Sequence, residues 1–305
     1  MLDIVIRPVG RMTNQMMQVL VAERYAQKFA GTTISGAALA EWRYPEAPVS
    51  RGHHSFPKID IQRFDVAYLD DLIATGRLKQ LKIRTPCCNI SAFPALKHAQ
   101  SLFKAPKQSF YKTGAKDLVI HVRLGDILVP GRHRDYPPLP IAYYQKILEE
   151  NDLRPVFVGE LGEDVYSKAL RKAFPKAKMI DNGSVLHDFQ TLRQAQNIAI
   201  GVSTYSWMAA WLGNAKRIFY PLRGLFNPLQ VSSVDMVPLK DPRYTFYQFP
   251  IRQWNADDAD FEALLHGPSE AEVISQQNVA ELVRQSADLA AAHIEAWKTQ
   301  IEARL

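Results

Sequence analysis

Residues 118–126 read Leu-Val-Ile-His-Val-Arg-Leu-Gly-Asp. An apolar, β-branched run of this length is a buried strand, and Gly125 supplies the turn that ends it. His121 and Arg123 stand two positions apart, which on a strand puts both side chains on one face. A buried face seldom carries two such groups without a partner. An edge strand with a solvated polar face would account for an isolated His-x-Arg. Here the strand runs into Gly-Asp, and a second anion-compatible turn lies downstream. The natural client for an arginine at the carboxyl end of an α/β strand is a phosphate.

Outward from this strand the chain alternates. A Pro-rich loop at 129–140 leads to a helix at Ile141–Glu150 and a strand at Pro155–Gly159. A helix at Glu163–Ala173, a strand at Ala177–Ile180 and a helix at His187–Gln196 follow. A strand at Ile198–Val202 then precedes Ser203-Thr204-Tyr205-Ser206, which opens a helix through Leu212, and Lys216–Tyr220 reads as a last strand. This rhythm predicts an α/β fold on a parallel, doubly wound sheet. At the 203–206 turn a helix N-terminus offers unpaired N–H groups and partial positive charge, to which Ser203, Thr204 and Ser206 can add donors. Plain N-capping accounts for the same residues. Asp188, at the start of its helix, either caps it or accepts N1–H and the 2-amino group of guanine, a pair adenine cannot supply.

Upstream, Leu2–Arg7 is a strand, residues 8–15 a turn, and Met16–Phe29 a helix with Met17, Leu20, Val21 and Tyr25 at helical spacing. Strand, Gly-containing loop and helix can hold an anion, or form an ordinary turn with Thr13 or Asn14 as the cap. Residues 31–64 are irregular. Their adjacent His53 and His54 point apart on an extended chain and make a poor metal pair. A helix at 65–78, a strand at 81–84 and a helix at 93–103 precede a polar linker at 105–114. We expect domains at 1–114 and 115–255, then a C-terminal helical segment at 256–305. In that segment Val279, Val283, Ala287, Ala290, Ile294, Trp297 and Ile301 form one apolar stripe.

A chain of 305 residues, 47% hydrophobic and 22% charged, suits two globular domains. The net charge of +6 is spread along the chain, with no polybasic tail and no nucleic-acid-binding module. Mild basicity suits a polyanionic ligand such as a nucleotide diphosphate, or peripheral work at acidic lipid headgroups. No apolar run approaches a membrane span, and the start lacks a secretory pattern, so the expectation is a cytoplasmic protein, with peripheral association at the inner membrane face compatible with its charge. Cys87 and Cys88 are adjacent and build neither a disulfide framework nor a metal site. Asp70-Asp71 and Asp257-Asp258 read as solvated charges.

Together these stretches resemble the GDP-fucose-dependent fucosyltransferase superfamily, and most of all its α-1,2 branch (glycosyltransferase family 11-like). Its H-x-R-R/x-x-D signature is similar to His121-Val122-Arg123-Leu124-Gly125-Asp126. Ser203 to Leu212 resembles the S-T-F-S-W-W-x-A-W-L segment, and this is the most specific match. Asp188 to Ala195 resembles the helix that precedes it, and Gly10-Arg11-Met12-Thr13-Asn14-Gln15 the N-terminal G-x-x-G-N-Q loop. The chain departs from the pattern at Leu124, often a second arginine, and at Thr13, a glycine.

The resemblance implies a GT-B-type fold, two facing Rossmann-like α/β domains with the active site in the cleft, plus C-terminal helices. It implies inverting transfer of L-fucose from GDP-β-L-fucose to a hydroxyl of a glycan or lipid-linked oligosaccharide. Arg123 and the Ser203, Thr204, Tyr205 and Ser206 turn would hold the diphosphate. His121 would contact guanosine, and Asp188 the guanine edge. Asn14 would approach the reacting centre from a loop of Gly10, Arg11 and Gln15. Asp126 is the candidate base, or else the turn residue that orients Arg123. No metal or other cofactor is expected. Two alternatives remain open: another GDP- or nucleotide-sugar donor in polysaccharide biosynthesis, and a catalytically silent nucleotide- or glycan-binding homologue.

Overall fold

The computed structural model describes residues 1–37, 39–45, 47–48, 56–104, 110–180 and 183–305. His53, His54 and the first part of the 105–114 linker lie outside them. The chain divides into two compact units. The first comprises Met1–Pro106, Ser232–Val237 and Val283–Leu305, and the second Lys107–Val231 and Pro238–Leu282.

The first unit contains β1 (Asp3–Ile6), α1 (Met12–Lys28), β2 (Thr33–Ser35), β3 (Lys58–Ile59), α2 (Val66–Ala74), β4 (Gln80–Ile83) and α3 (Leu96–Leu102). Its four strands pair in parallel in the order β2-β1-β4-β3. α1 buries Met16, Met17, Val19, Leu20, Val21 and Tyr25. The helix starts earlier than expected, so Thr13 and Asn14 lie inside its first turn. Arg11 is the N-cap and makes no side-chain capping bond. The completely buried Gln18 holds the preceding loop instead. Its Oε1 accepts from the Val9 N–H at 3.1 Å and its Nε2 donates to the Arg7 carbonyl at 2.8 Å.

The second unit contains β5 (Asp117–Val122), α4 (Ile141–Asn151), β6 (Arg154–Gly159), α5 (Val165–Ala173), β7 (Lys178–Ile180), α6 (Val185–Gln194), β8 (Asn197–Ala199), α7 (Thr204–Leu212), β9 (Arg217–Leu222), β10 (Tyr244–Gln248), α8 (Asp258–Leu265) and β11 (Glu272–Ile274). The sheet order is β11-β10-β9-β8-β5-β6-β7. All pairs are parallel except β10 with β11. The expected α/β class and doubly wound sheet are present. β9 is not the last strand, since β10 and β11 extend that edge. From β5 the chain winds outward through β6 and β7, then returns to β8 on the other side and winds outward again. The order therefore reverses between β5 and β8, where a crevice opens at the carboxyl ends of the strands.

α9 (Gln276–Glu302) ends the chain. Val279, Ser286, Ala290, Trp297 and Ile301 are its buried residues, which follow the expected stripe with one serine in it. In the first unit, Trp297 donates to the Lys58 carbonyl at 2.8 Å and packs on Phe64, and Ser286 accepts from Arg63 at 2.9 Å. The acidic pairs have structural work. Asp70 takes both Nη atoms of Arg24, at 2.8 and 2.7 Å, while Asp257 caps α8. Cys87 and Cys88 are free and buried. No helix among the described residues is long and apolar enough to cross a membrane.

Candidate active site

The site in the second unit is built around the last residues of β5. His121 is 6% exposed, and two glycines make room for it. A Cβ at Gly159, which ends β6 with φ +124°, would lie 2.2 Å from the Val122 carbonyl oxygen and 3.4 Å from the His121 ring. One at Gly201, just past β8, would lie 2.8 Å from the His121 carbonyl oxygen and 3.1 Å from Nδ1. The Tyr205 ring lies 5.2 Å from the imidazole, tilted by 32°. Nδ1 is buried with no hydrogen-bond partner among the described residues. Burial first, and the Arg123 charge second, push the His121 pKa down to about 3. His121 is therefore a neutral imidazole with one uncommitted nitrogen, suited to hydrogen bonding rather than to proton transfer near pH 7.

Arg123 lies one residue beyond the strand, because β5 ends at Val122. The strict same-face relation with His121 expected on a strand does not extend to it. Its Nη2 donates to both carboxylate oxygens of Asp126, at 3.1 and 3.2 Å, and the guanidinium sits 5.2 Å over the Tyr136 ring. His133 Nε2 is 3.2 Å from Oδ2 of the same carboxylate. Asp126 is thus held between two basic side chains. That arrangement suits orienting the Arg123 fork, the second of the two roles the sequence allows it. Leu124 is 1% exposed and its N–H donates to Glu160 Oε2 at 2.8 Å. The position where the resemblance would have a second arginine thus faces the core.

The β8–α7 turn stands beside Arg123. Ser203 is the N-cap, its Oγ accepting from the Tyr205 N–H at 3.3 Å. Ser206, expected as a ligand donor, is fully buried and donates to the carbonyls of Gly201 and Ser203. Tyr205 donates its hydroxyl to the Val185 carbonyl, which ties the start of α7 to the start of α6. The side chains open to a ligand at this turn are therefore fewer than its composition suggests. α7 itself is buried almost all round, with Trp207 stacked on Trp211 at 5.6 Å.

Asp188 does not cap α6, since Ser184 does, accepting from the His187 N–H at 3.2 Å. The Asp188 carboxylate folds back over Gly183, where an added Cβ would meet its Oδ1 at 1.8 Å. It lies 3.1 Å from His187 Nδ1, and burial raises its pKa above the ordinary carboxylate value. Beside His121 and Arg123 a small pocket opens to solvent, lined also by Pro137, Pro138, Leu139, Tyr144, Tyr166, Gly201 and Val202. Sequence reading missed this wall, which is fixed by the Tyr166 hydroxyl donating to the Leu139 carbonyl at 2.6 Å.

No protein-family model and no curated protein matches the chain. Among the solved structures similar to it are two of one enzyme. One is E. coli heptosyltransferase WaaC with ADP, at 14% identity and TM-score 0.37, covering 95% of this chain and 100% of that one. The other is E. coli heptosyltransferase WaaC with ADP-2-deoxy-2-fluoro heptose, at 11% identity and TM-score 0.39, covering 94% and 100%. Likeness this slight bears on neither donor nor acceptor.

In the first unit, the other residues expected at a site lie at the β1–α1 loop. Gly10 has φ +73°, and a Cβ there would meet Asn14 Nδ2 at 2.2 Å, so Asn14 sits directly over it. Gln15 Nε2 donates to the Gly10 carbonyl at 3.0 Å. Arg11, the N-cap, is exposed. Among the described residues no group of three or more His, Cys, Asp or Glu side chains is placed to hold a metal ion.

Proposed function

We propose that the chain is an inverting glycosyltransferase that moves L-fucose from GDP-β-L-fucose to a hydroxyl of a glycan acceptor, in the α-1,2 linkage its motifs resemble. One observation carries the reading: Arg123 and the Ser203–α7 turn occupy the ends of β5 and β8, the two strands between which the sheet order reverses. Open α/β sheets bind nucleotides at such a reversal, which would set the phosphates at the helix start and the arginine fork.

In the reaction, the bond between fucose C1 and the β-phosphate oxygen breaks and its electron pair stays on the phosphate. The acceptor hydroxyl bonds C1 from the opposite face and gives up its proton to the Asp126 carboxylate or to water, so the β-linked donor yields an α-linked product. Arg123 takes up the growing phosphate charge and Asp126 holds the fork in place. The partial charge at the α7 N-terminus adds to this. These groups do the work a divalent metal would do, so the proposal includes metal independence. His121 contacts guanosine through its uncommitted nitrogen, and Asp188 pairs with the guanine edge. Asn14, with Gly10, Arg11 and Gln15, serves the acceptor side. A lipid-linked oligosaccharide worked on at a membrane face is an acceptor compatible with the net charge of +6.

The test is turnover of GDP-fucose, GDP-mannose and a UDP-sugar against an array of glycan acceptors, with and without EDTA. GDP-fucose should be consumed preferentially, with chelator making no difference. Preference for another nucleotide sugar would move the assignment to that donor. Loss of turnover in EDTA with recovery in magnesium or manganese would refute the metal-free mechanism. Binding of GDP without turnover of any donor would mark a silent homologue.

A further inference from the structure

A second arginine leaves the same sheet edge. Arg223 directly follows β9. Its Nε is buried without a hydrogen-bond partner, and its guanidinium has no ion pair among the described residues. The two carboxylates that act on it from a distance are already engaged. Glu270 is paired with Arg252 at 3.0 Å, and Asp260 accepts from the Asn255 N–H at 2.6 Å. The guanidinium lies 5.2 Å over the Phe249 ring, which fixes its plane. A covered cation with an orphaned N–H and no counter-ion is costly in a folded protein and calls for an explanation.

The sheet register says where this residue leaves the sheet. Ile120, Ala199 and Phe219 stand level on β5, β8 and β9. Arg123 lies three residues past Ile120 and Arg223 four past Phe219, with Ser203 four past Ala199 between them. The two arginines thus leave the sheet at nearly the same height, with only β8 separating their strands, roughly 10 Å apart at two strand spacings. Gly224, with φ +54°, packs under the pocket wall, since a Cβ there would meet the Asp135 carbonyl oxygen at 2.4 Å and Pro137 Cδ at 2.6 Å. Pro137 lines the pocket beside Arg123, and so does Tyr166, which feels the Arg223 charge.

We propose that Arg223 is the second arm of the anion site, taking a phosphate oxygen of the nucleoside diphosphate across the β8–α7 turn from Arg123. The inference rests on the reading of this crevice as a nucleotide-diphosphate site. Its chemical sense lies in the charge count. Arg123 shares its charge with Asp126, so by itself it offers a diphosphate little net positive charge. Arg223 forms an ion pair with no carboxylate among the described residues and supplies the balance.

The experiment is calorimetric titration of GDP and of guanosine into wild type, Arg223→Met, Arg223→Lys and Arg123→Met, with thermal unfolding of each protein without ligand. Arg223→Met should weaken GDP by about twentyfold, the loss of a charge-assisted phosphate contact, and leave guanosine within about twofold. Its unliganded melting temperature should not fall, because a half-buried cation without an ion pair has been removed. Arg223→Lys, which keeps the charge without the fork, should fall between and carries the test if the methionine variant does not fold. GDP affinity unchanged in the Arg223 variants but lost in Arg123→Met would overturn the role of Arg223 and leave the crevice reading standing. Wild type binding GDP no better than guanosine would overturn both.

Discussion

Acidification probes the neutral state of His121 directly. An unfolded histidine titrates at 6.5, whereas burial and the neighbouring Arg123 hold this one neutral down to about pH 3. Between those values the unfolded chain binds a proton that the folded protein refuses. A cationic acid with a depressed folded pKa contributes stability that is fully present above the unfolded pKa and is lost as pH falls below it. At pH 5 the drop is one and a half pH steps at about 1.36 kcal/mol each, so about 2 kcal/mol of stability should be gone relative to pH 8. Near pH 3 the loss approaches about 5 kcal/mol, comparable to the whole stability of many domains.

The assay is urea unfolding of wild type and His121→Gln at pH 8 and pH 5. The variant lacks this group but keeps the other histidines, so their titration cancels in the comparison. Between the two pH values, His121→Gln should lose about 2 kcal/mol less than wild type. Ring nitrogen NMR gives an independent reading, with the His121 signals unchanged from pH 8 to pH 5. Equal losses in the two proteins, or a ring that titrates near 6.5, would refute the buried neutral imidazole and with it the hydrogen-bonding role toward guanosine.

Arg123→Ala should lower turnover by at least about a hundredfold, or about 3 kcal/mol of transition-state stabilisation, and Arg123→Lys should not restore it. Near-normal turnover of Arg123→Ala at saturating donor would reduce Arg123 to a binding residue. Asp188→Ala should weaken GDP by about 1.5–3 kcal/mol with a much smaller effect on UDP, and equal losses for both would remove Asp188 from guanine recognition. Gly159→Ala should destabilise the protein by on the order of 3 kcal/mol, because a methyl group would meet the Val122 carbonyl oxygen at 2.2 Å on a backbone with φ +124°; chemical denaturation with an unchanged midpoint would mean that β5 and β6 do not approach as described.

The second unit's architecture was legible because its signals are local. Apolar runs of strand length alternate with helical periods, and the buried α7 shows its boundary in the hydroxyl residues before it. What a polar side chain does there was less legible, because that depends on neighbours distant in sequence. Ser203 and Ser206 look equivalent in the sequence, yet Ser206 turns back to the Gly201 and Ser203 carbonyls while Ser203 caps the helix. The room around His121 comes from Gly159, which ends β6, and Gly201, just past β8, which no spacing rule connects to it. Arg223 was hidden by Pro221, which argues for the end of a strand. β9 nevertheless continues to Leu222, because β8 ends at Ala199, opposite Phe219, and Pro221 needs no N–H on that side.

Leu124 illustrates the same point from the other direction. In the sequence it is a departure from a motif that often has two arginines, and it raised the question of whether the site is active. In the fold its side chain is in the core and its N–H is bonded to Glu160, while the chain turns at Gly125 with φ +65°. An arginine on this backbone would need a buried counter-ion, and Glu160, the acid at hand, is already engaged by the Leu124 N–H. Leucine removes that demand and leaves the Arg123–Asp126 pair intact. The departure is therefore compatible with a working anion site, and the charge that a second arginine would have brought can come instead from Arg223.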